Sequence, residues 1–120
     1  MTYLYIFIGG GLGSLARFLT SKASVKLFST DFPLGTLISN IIACVILALL
    51  IVMFSSKQQE YQWIQPLLII GFCGGYSTFS TFSNETFMLF DNGHTLLAVL
   101  NIIISTLVGI GLIFLIRSKA

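Results

Sequence analysis

Four long apolar runs separated by short polar stretches set the pattern of this chain. They cover residues 3–19, 34–54, 64–90 and 95–116. At 1.5 Å rise per residue, about 20 apolar residues cross a hydrocarbon core of roughly 30 Å, so each run is predicted to be a transmembrane helix. The third run departs from a plain apolar span. Its stretch GFCGGYSTFSTFSNE (Gly71 to Glu85) places three glycines and six Ser, Thr or Asn residues among fifteen positions. Main chain released by a glycine-rich break finds no hydrogen-bond partner in lipid, so it must be buried in protein or line a cavity. A third helix broken in mid-membrane is therefore expected, with the break building a site that the other helices house.

The residues between the runs punctuate them. Tyr3 and Tyr5 suit an interfacial belt, and Arg17 at the far end of the first run suits a snorkelling anchor. Gly9 and Gly13 form a GxxxG, a spacing that lets two membrane helices approach closely. A first loop, 20–32, carries Lys22 and Lys26. Asp31 followed by Pro33 reads as a cap and first-turn proline for the second run. Tyr61 and Trp63 mark the next interface and Pro66 fits the first turn of the third run, while Asn92-Gly93 reads as its stop.

Composition narrows the class. The chain is 56% hydrophobic and 8% charged, where a soluble domain carries about a quarter charged residues. The fold class is all-α integral membrane, one four-helix domain over residues 1–120. No basic residue precedes the first run, so a cleaved signal peptide is not expected. Cys44 and Cys73 fall at intramembrane positions with no metal-ligand spacing and read as buried free thiols. A net charge of +2, scattered along the chain, gives no reason to expect nucleic acid as a partner.

Basic residues usually stay cytoplasmic. Four crossings put Lys57, Arg117 and Lys119 on one side and Arg17, Lys22 and Lys26 on the other, three against three. Two readings stay open: a weak bias resolved by something else, or a chain that inserts both ways up and pairs as an antiparallel, dual-topology dimer. In the second, a twofold axis in the membrane plane sets the two breaks against each other.

Candidate chemistry follows from what the runs lack. Proton-coupled transporters are marked by an ionisable residue inside the membrane, and Glu85, the one candidate here, lies toward an end of the third run. Neutral polar groups point instead to passive permeation. Asn40 in the second run reads equally as an interhelical hydrogen bond or as a donor on a path. Tyr76, Phe79 and Phe82 share a helix face, and aromatic rings carry positive edges that two rings a turn apart can present to a small anion. Ser80 and Thr81 add hydroxyl donors. In the alternative reading the rings only pack, and the hydroxyls bond back to carbonyls four residues earlier.

Over essentially its whole length the sequence resembles the small fluoride-channel family, Fluc or CrcB. The matching pieces are GGGLGSLAR (Gly9 to Arg17), PLGTLISN (Pro33 to Asn40) and, most specific, GFCGGYSTFSTFSNE (Gly71 to Glu85). The resemblance implies four helices, an antiparallel dimer with two pores, and passive export of fluoride. It implies a fluoride path formed by Asn40, Phe79, Ser80, Thr81, Phe82 and Ser105. It also implies a structural sodium ion at the dimer centre, held by the main-chain carbonyls of Gly74 and Ser77. Ser77 stands where the family more often has Thr, an exchange that a backbone ligand tolerates. Asn101 stands where Tyr is common, a larger change that sets a pair of non-identical chains beside the homodimer.

The expectation is therefore a fluoride-selective channel in the plasma (inner) membrane of a prokaryote, without covalent chemistry, whose partners are fluoride, membrane lipid and a second subunit. Two alternatives stand beside it. A proton-coupled small multidrug exporter needs an intramembrane carboxylate, and the first run has none. In a non-transporting membrane assembly protein, the Gly, Ser and Thr positions would be packing contacts alone.

Overall fold

A computed structural model describes residues 1–120. The chain is all-helical. Helix α1 spans Thr2–Leu27 and α2 spans Leu34–Phe54, followed by a short 3-10 turn, Ser55–Lys57. A π-helical segment, Gln65–Cys73, runs into a single α turn, α3 (Gly74–Tyr76). Helices α4 (Phe79–Asp91) and α5 (Thr95–Ser118) complete the chain. Three helices are long and apolar enough to cross a membrane: Thr2–Leu27, Leu34–Lys57 and Thr95–Ser118.

Several element boundaries differ from those read in the sequence. Helix α1 does not stop near residue 19 but continues through the expected first loop to Leu27. No Gly or Pro interrupts it there, and the Thr20 and Ser24 hydroxyls donate to the Ala16 and Thr20 carbonyls, so they stay satisfied inside the helix. Asp31 does not cap α2. Pro33 itself takes the capping position with no side-chain bond, and Asp31 instead lies 3.7 Å from His94.

Other punctuation signals hold. Pro66 sits in the first turn of the π-helical segment. Gly93 ends α4 with φ +82°, a conformation that glycine adopts without a Cβ clash. The His94 N–H bonds to the Leu89 carbonyl at 2.7 Å, and the Gly93 N–H to the Phe90 carbonyl at 3.1 Å. This paired bonding closes the last turn of α4 as a Schellman motif.

The tightest packing is backbone on backbone. A Cβ at Gly9 or Gly13 of α1 would overlap the carbonyl of Leu67 or Phe72 in the π-helical segment, and one at Gly75 would overlap the Gly10 carbonyl. At Gly71 it would stand 3.0 Å from the Gly9 Cα. The GxxxG of α1 is thus a packing surface, and its partner is the glycine-rich stretch before residue 77. Elsewhere the core is thin. Only 17 of 120 residues are buried, while Phe7, Phe79, Leu107 and Phe114 are largely exposed. So much apolar surface needs lipid or another protein chain against it.

Candidate functional site

Between α3 and α4 the main chain leaves the helical conformation for two residues. Ser77 (φ −86°, ψ 159°) and Thr78 (φ −155°, ψ 127°) are extended. Helical bonding cannot continue across them, so the groups it would have used need other partners.

Asn40 of α2 supplies two of these. Its Oδ1 accepts the Thr78 N–H at 2.8 Å, and its Nδ2 donates to the Thr78 carbonyl at 3.3 Å. The Thr78 side chain then caps α4 by accepting the Thr81 N–H at 3.2 Å. The Ser77 hydroxyl and N–H both donate to the Cys73 carbonyl, at 2.8 and 3.0 Å. From α1, the Arg17 Nε donates to the Gly75 carbonyl at 3.0 Å.

Two carbonyls come out of this arrangement unclaimed. Gly74 loses its regular partner four residues on, because the Thr78 N–H has turned to Asn40. The Ser77 carbonyl accepts no hydrogen bond. Neutral carbonyl oxygens are the hard donors that an alkali cation takes. Gly74 is also exposed, with nothing within 4 Å of where a Cβ would stand. The donor set present therefore fits a sodium ion in chemical type.

Past the break, the rings of Phe79 and Phe82 lie 6.1 Å apart between centroids at 41°. Phe79 is 79% exposed, so its ring packs against little of its own chain. Ser80 is exposed, with its hydroxyl 3.4 Å from that of Thr78, and Thr81 is half-buried. Asn40 and residues 77–82 thus lie in one neighbourhood. Ser105 of α5 belongs to a different cluster. Its hydroxyl donates to the Asn101 Oδ1 at 3.3 Å, and the Asn101 Nδ2 donates to the Thr86 hydroxyl at 3.0 Å. Thr86 in turn donates to the Phe82 carbonyl at 2.8 Å, and that is the link back to the rings. Asn101 is 2% exposed, a buried tie between α4 and α5.

Three features escaped the sequence reading. Arg17 does not stand at the end of its helix: it lies well inside α1 and bonds to main chain 58 residues away. The Thr36 hydroxyl donates to the Glu85 carboxylate, tying α2 to α4. Both groups line a cavity of about 330 Å³, together with Ser21, Ser24, Asp31 and His94. Ser39 is fully buried and its hydroxyl has no partner. Thr36 and Asn40, four residues apart, share the face of α2 that meets residues 78–85, and no comparable signal marks Arg17 or Ser39.

Long apolar helices around a polar, partly extended stretch define a multi-pass integral membrane protein. The chain belongs to the CrcB family: the family model for CrcB-like protein, camphor resistance, matches residues 4–116. It is 48% identical over 115 residues to the fluoride-specific ion channel FluC of Pyrococcus abyssi, covering 95% of this chain and 91% of that one. It is 42% identical over 106 residues to the protein of the same name from Coxiella burnetii, covering 88% of this chain and 86% of that one. For the one from Flavobacterium psychrophilum the identity is 38% over 109 residues, covering 91% and 88%.

Proposed function

We propose that this chain is a fluoride-selective ion channel that lets fluoride leave the cell passively across a prokaryotic plasma membrane and so limits its toxicity. Support comes from the naming of its relatives as fluoride-specific channels together with a polar site that holds no charge pair. The observation that carries the reading is the cluster of uncharged side chains at Asn40, the residue 77–78 break and the Phe79–Phe82 ring pair, with the Arg17 guanidinium beside it on the Gly75 carbonyl.

In this reading residues 65–91 make one crossing, interrupted at mid-depth. Fluoride is small and a strong hydrogen-bond acceptor. It exchanges water for the Ser80 and Thr81 hydroxyls, the Asn40 amide and the positive ring edges of Phe79 and Phe82. Ser105 of α5 adds a hydroxyl when it exchanges its bond to Asn101 for one to fluoride. Larger halides gain less from the same donors. No bond is made or broken, so the protein acts as a conduit and not as an enzyme.

The assembly is an antiparallel pair, a homodimer or two non-identical chains. The exposed Phe79 ring and the open face at Gly74 are the features of this chain that such a pairing would cover. The carbonyls of Gly74 and Ser77 from both subunits would hold a structural sodium ion at the centre. Held there, the ion would supply a fixed positive charge beside an anion path.

The test is complementation of a strain that lacks its own fluoride exporter. The wild-type chain is expected to restore growth in fluoride, and Phe79→Ile or Phe82→Ile, which keep apolar bulk without ring edges, are expected not to. Equal protection by both variants would remove the rings from the path. No protection by a well-expressed wild-type chain would count against the function itself.

A further inference from the structure

The short turn α3 is the last turn of the helical stretch that begins at Gln65, with the Gly74 N–H on the Gly71 carbonyl and the Ser77 N–H on the Cys73 carbonyl. Two extended residues follow it, so its outer carbonyls have no further helical turn to hold them. Its position is set from outside, largely by α1. Gly10 and Gly75 meet backbone to backbone. The Arg17 Nε bonds to the Gly75 carbonyl at 3.0 Å. Thr20 and Tyr76 join their hydroxyls at 2.8 Å, and because Thr20 gives its proton to the Ala16 carbonyl, the Tyr76 phenol is the donor.

Arg17 is an unusual residue for that place. Arg17 is half-buried and no carboxylate lies within 4 Å of it; the one acid–base pair in the chain is His94 with Asp31. What it meets is a carbonyl, on the residue between Gly74 and Tyr76. Of the carbonyls around the break, those of Cys73, Gly75 and Thr78 are bonded, and that of Ser77 is not. Gly74 has lost its helical partner to Asn40.

We infer that Arg17, with Thr20 beside it, is a positioning residue for the cation-holding turn: by taking the Gly75 carbonyl it fixes α3 so that the carbonyls of Gly74 and Ser77 stay turned to sodium. The inference rests on the sodium role proposed above, and goes beyond it in assigning the residues that shape the site from α1. The sign of the effect separates it from a simple charge effect. A positive charge near a cation site opposes cation binding, so removing Arg17 would strengthen sodium binding if its charge were all that mattered. Loss of the hydrogen bond acts in the opposite direction: the glycine contacts still hold α3 in place, but the Gly75 peptide plane is no longer pinned and the neighbouring carbonyls can tilt away from sodium. Glutamine keeps an N–H donor without the charge, while leucine keeps neither.

The experiment measures the unfolding temperature of the purified full-length protein in detergent as sodium replaces N-methyl-D-glucamine at constant ionic strength. The wild-type protein is expected to gain stability with sodium, as any ligand that binds only the folded state confers. Arg17→Leu is expected to raise the sodium concentration at half-effect about tenfold, the scale of one lost charge-assisted hydrogen bond. Arg17→Gln is expected to stay within about threefold of wild type, since a neutral donor recovers most of that bond. Thr20→Val leaves the guanidinium in place and reports even if the leucine variant does not fold; an increase of about threefold is expected from one lost neutral bond. An unchanged or lowered half-effect concentration in Arg17→Leu, a glutamine variant as impaired as leucine, or an unchanged Thr20→Val would overturn the inference. So would a wild-type protein indifferent to sodium, whatever its fluoride flux. Conversely, a wild-type protein that gains stability with sodium yet passes no fluoride sinks the channel reading and leaves the role of Arg17 standing.

Discussion

The two sides of residues 77–78 are held in opposite ways. Before them, the π-helical segment and α3 lie against α1 through glycine backbones, with Gly9, Gly13, Gly71 and Gly75 leaving no room for a side chain. After them, α4 is tethered by polar side chains: Asn40 to Thr78, Thr36 to Glu85, and Asn101 to Thr86. Glycine contacts allow almost no adjustment, because any added atom meets main chain. Side-chain hydrogen bonds can be remade with small shifts. The first half is thus a fixed platform, and the second carries the rings and hydroxyls on tethers of different strength. A path that must strip and restore hydration benefits from that division, since its frame is rigid while its lining adapts.

Breaking the platform should have the largest effect. Gly13→Val places a branched side chain against the Phe72 carbonyl and the Tyr76 N–H, and a loss above about 4 kcal/mol is expected, enough to prevent folding. Recovery of a single species on size-exclusion chromatography checks this. Gly11→Ala, where nothing lies within 4 Å, is the matched control and should behave as wild type.

Among the tethers, Asn40→Leu should matter most. It leaves the Thr78 N–H and carbonyl without partners, at a cost of about 2–4 kcal/mol, and fluoride flux should fall at least about tenfold if the amide also serves the path. Thermal unfolding and liposome flux read the two effects separately. Asn101→Leu should cost about 1–2 kcal/mol, because Thr86 keeps its bond to the Phe82 carbonyl and Ser105 can turn elsewhere. A flux that changes with little loss of stability would mean that the Ser105 hydroxyl, released from Asn101, takes part in conduction. The smallest effect belongs to Asp31→Asn. Its partner His94 is 3.7 Å away and both are solvent-accessible, so thermal unfolding is expected to show a change in stability within about 0.5 kcal/mol.

The same contrast explains how much could be read from the sequence. The platform was legible: GxxxG in α1 and the glycines from Gly71 to Gly75 announce close approach by composition alone, and Pro66 and Gly93 mark helix ends by their backbone preferences. The π-helical form of Gln65–Cys73 was not, because no residue type distinguishes a wider helical turn from an ordinary one. The tethers were only half legible. Asn40 stood out as the polar residue of its helix, yet its partner is main chain 38 residues away, and periodicity says nothing of tertiary partners. The bond from Arg17 to the Gly75 carbonyl was hidden for the same reason. A basic residue near the expected end of an apolar run looks like an interfacial anchor until the helix is seen to continue to Leu27. Ser105 entered through the family resemblance alone, and the engagement of its hydroxyl proton by Asn101 needs α5 and its register to be known.

The most direct test of a fluoride-selective path is ion efflux from vesicles containing the purified chain, loaded with equal fluoride and chloride and followed with an electrode for each ion. Rapid fluoride release with chloride retained is the result expected; release of both ions at similar rates, or of neither, would contradict it.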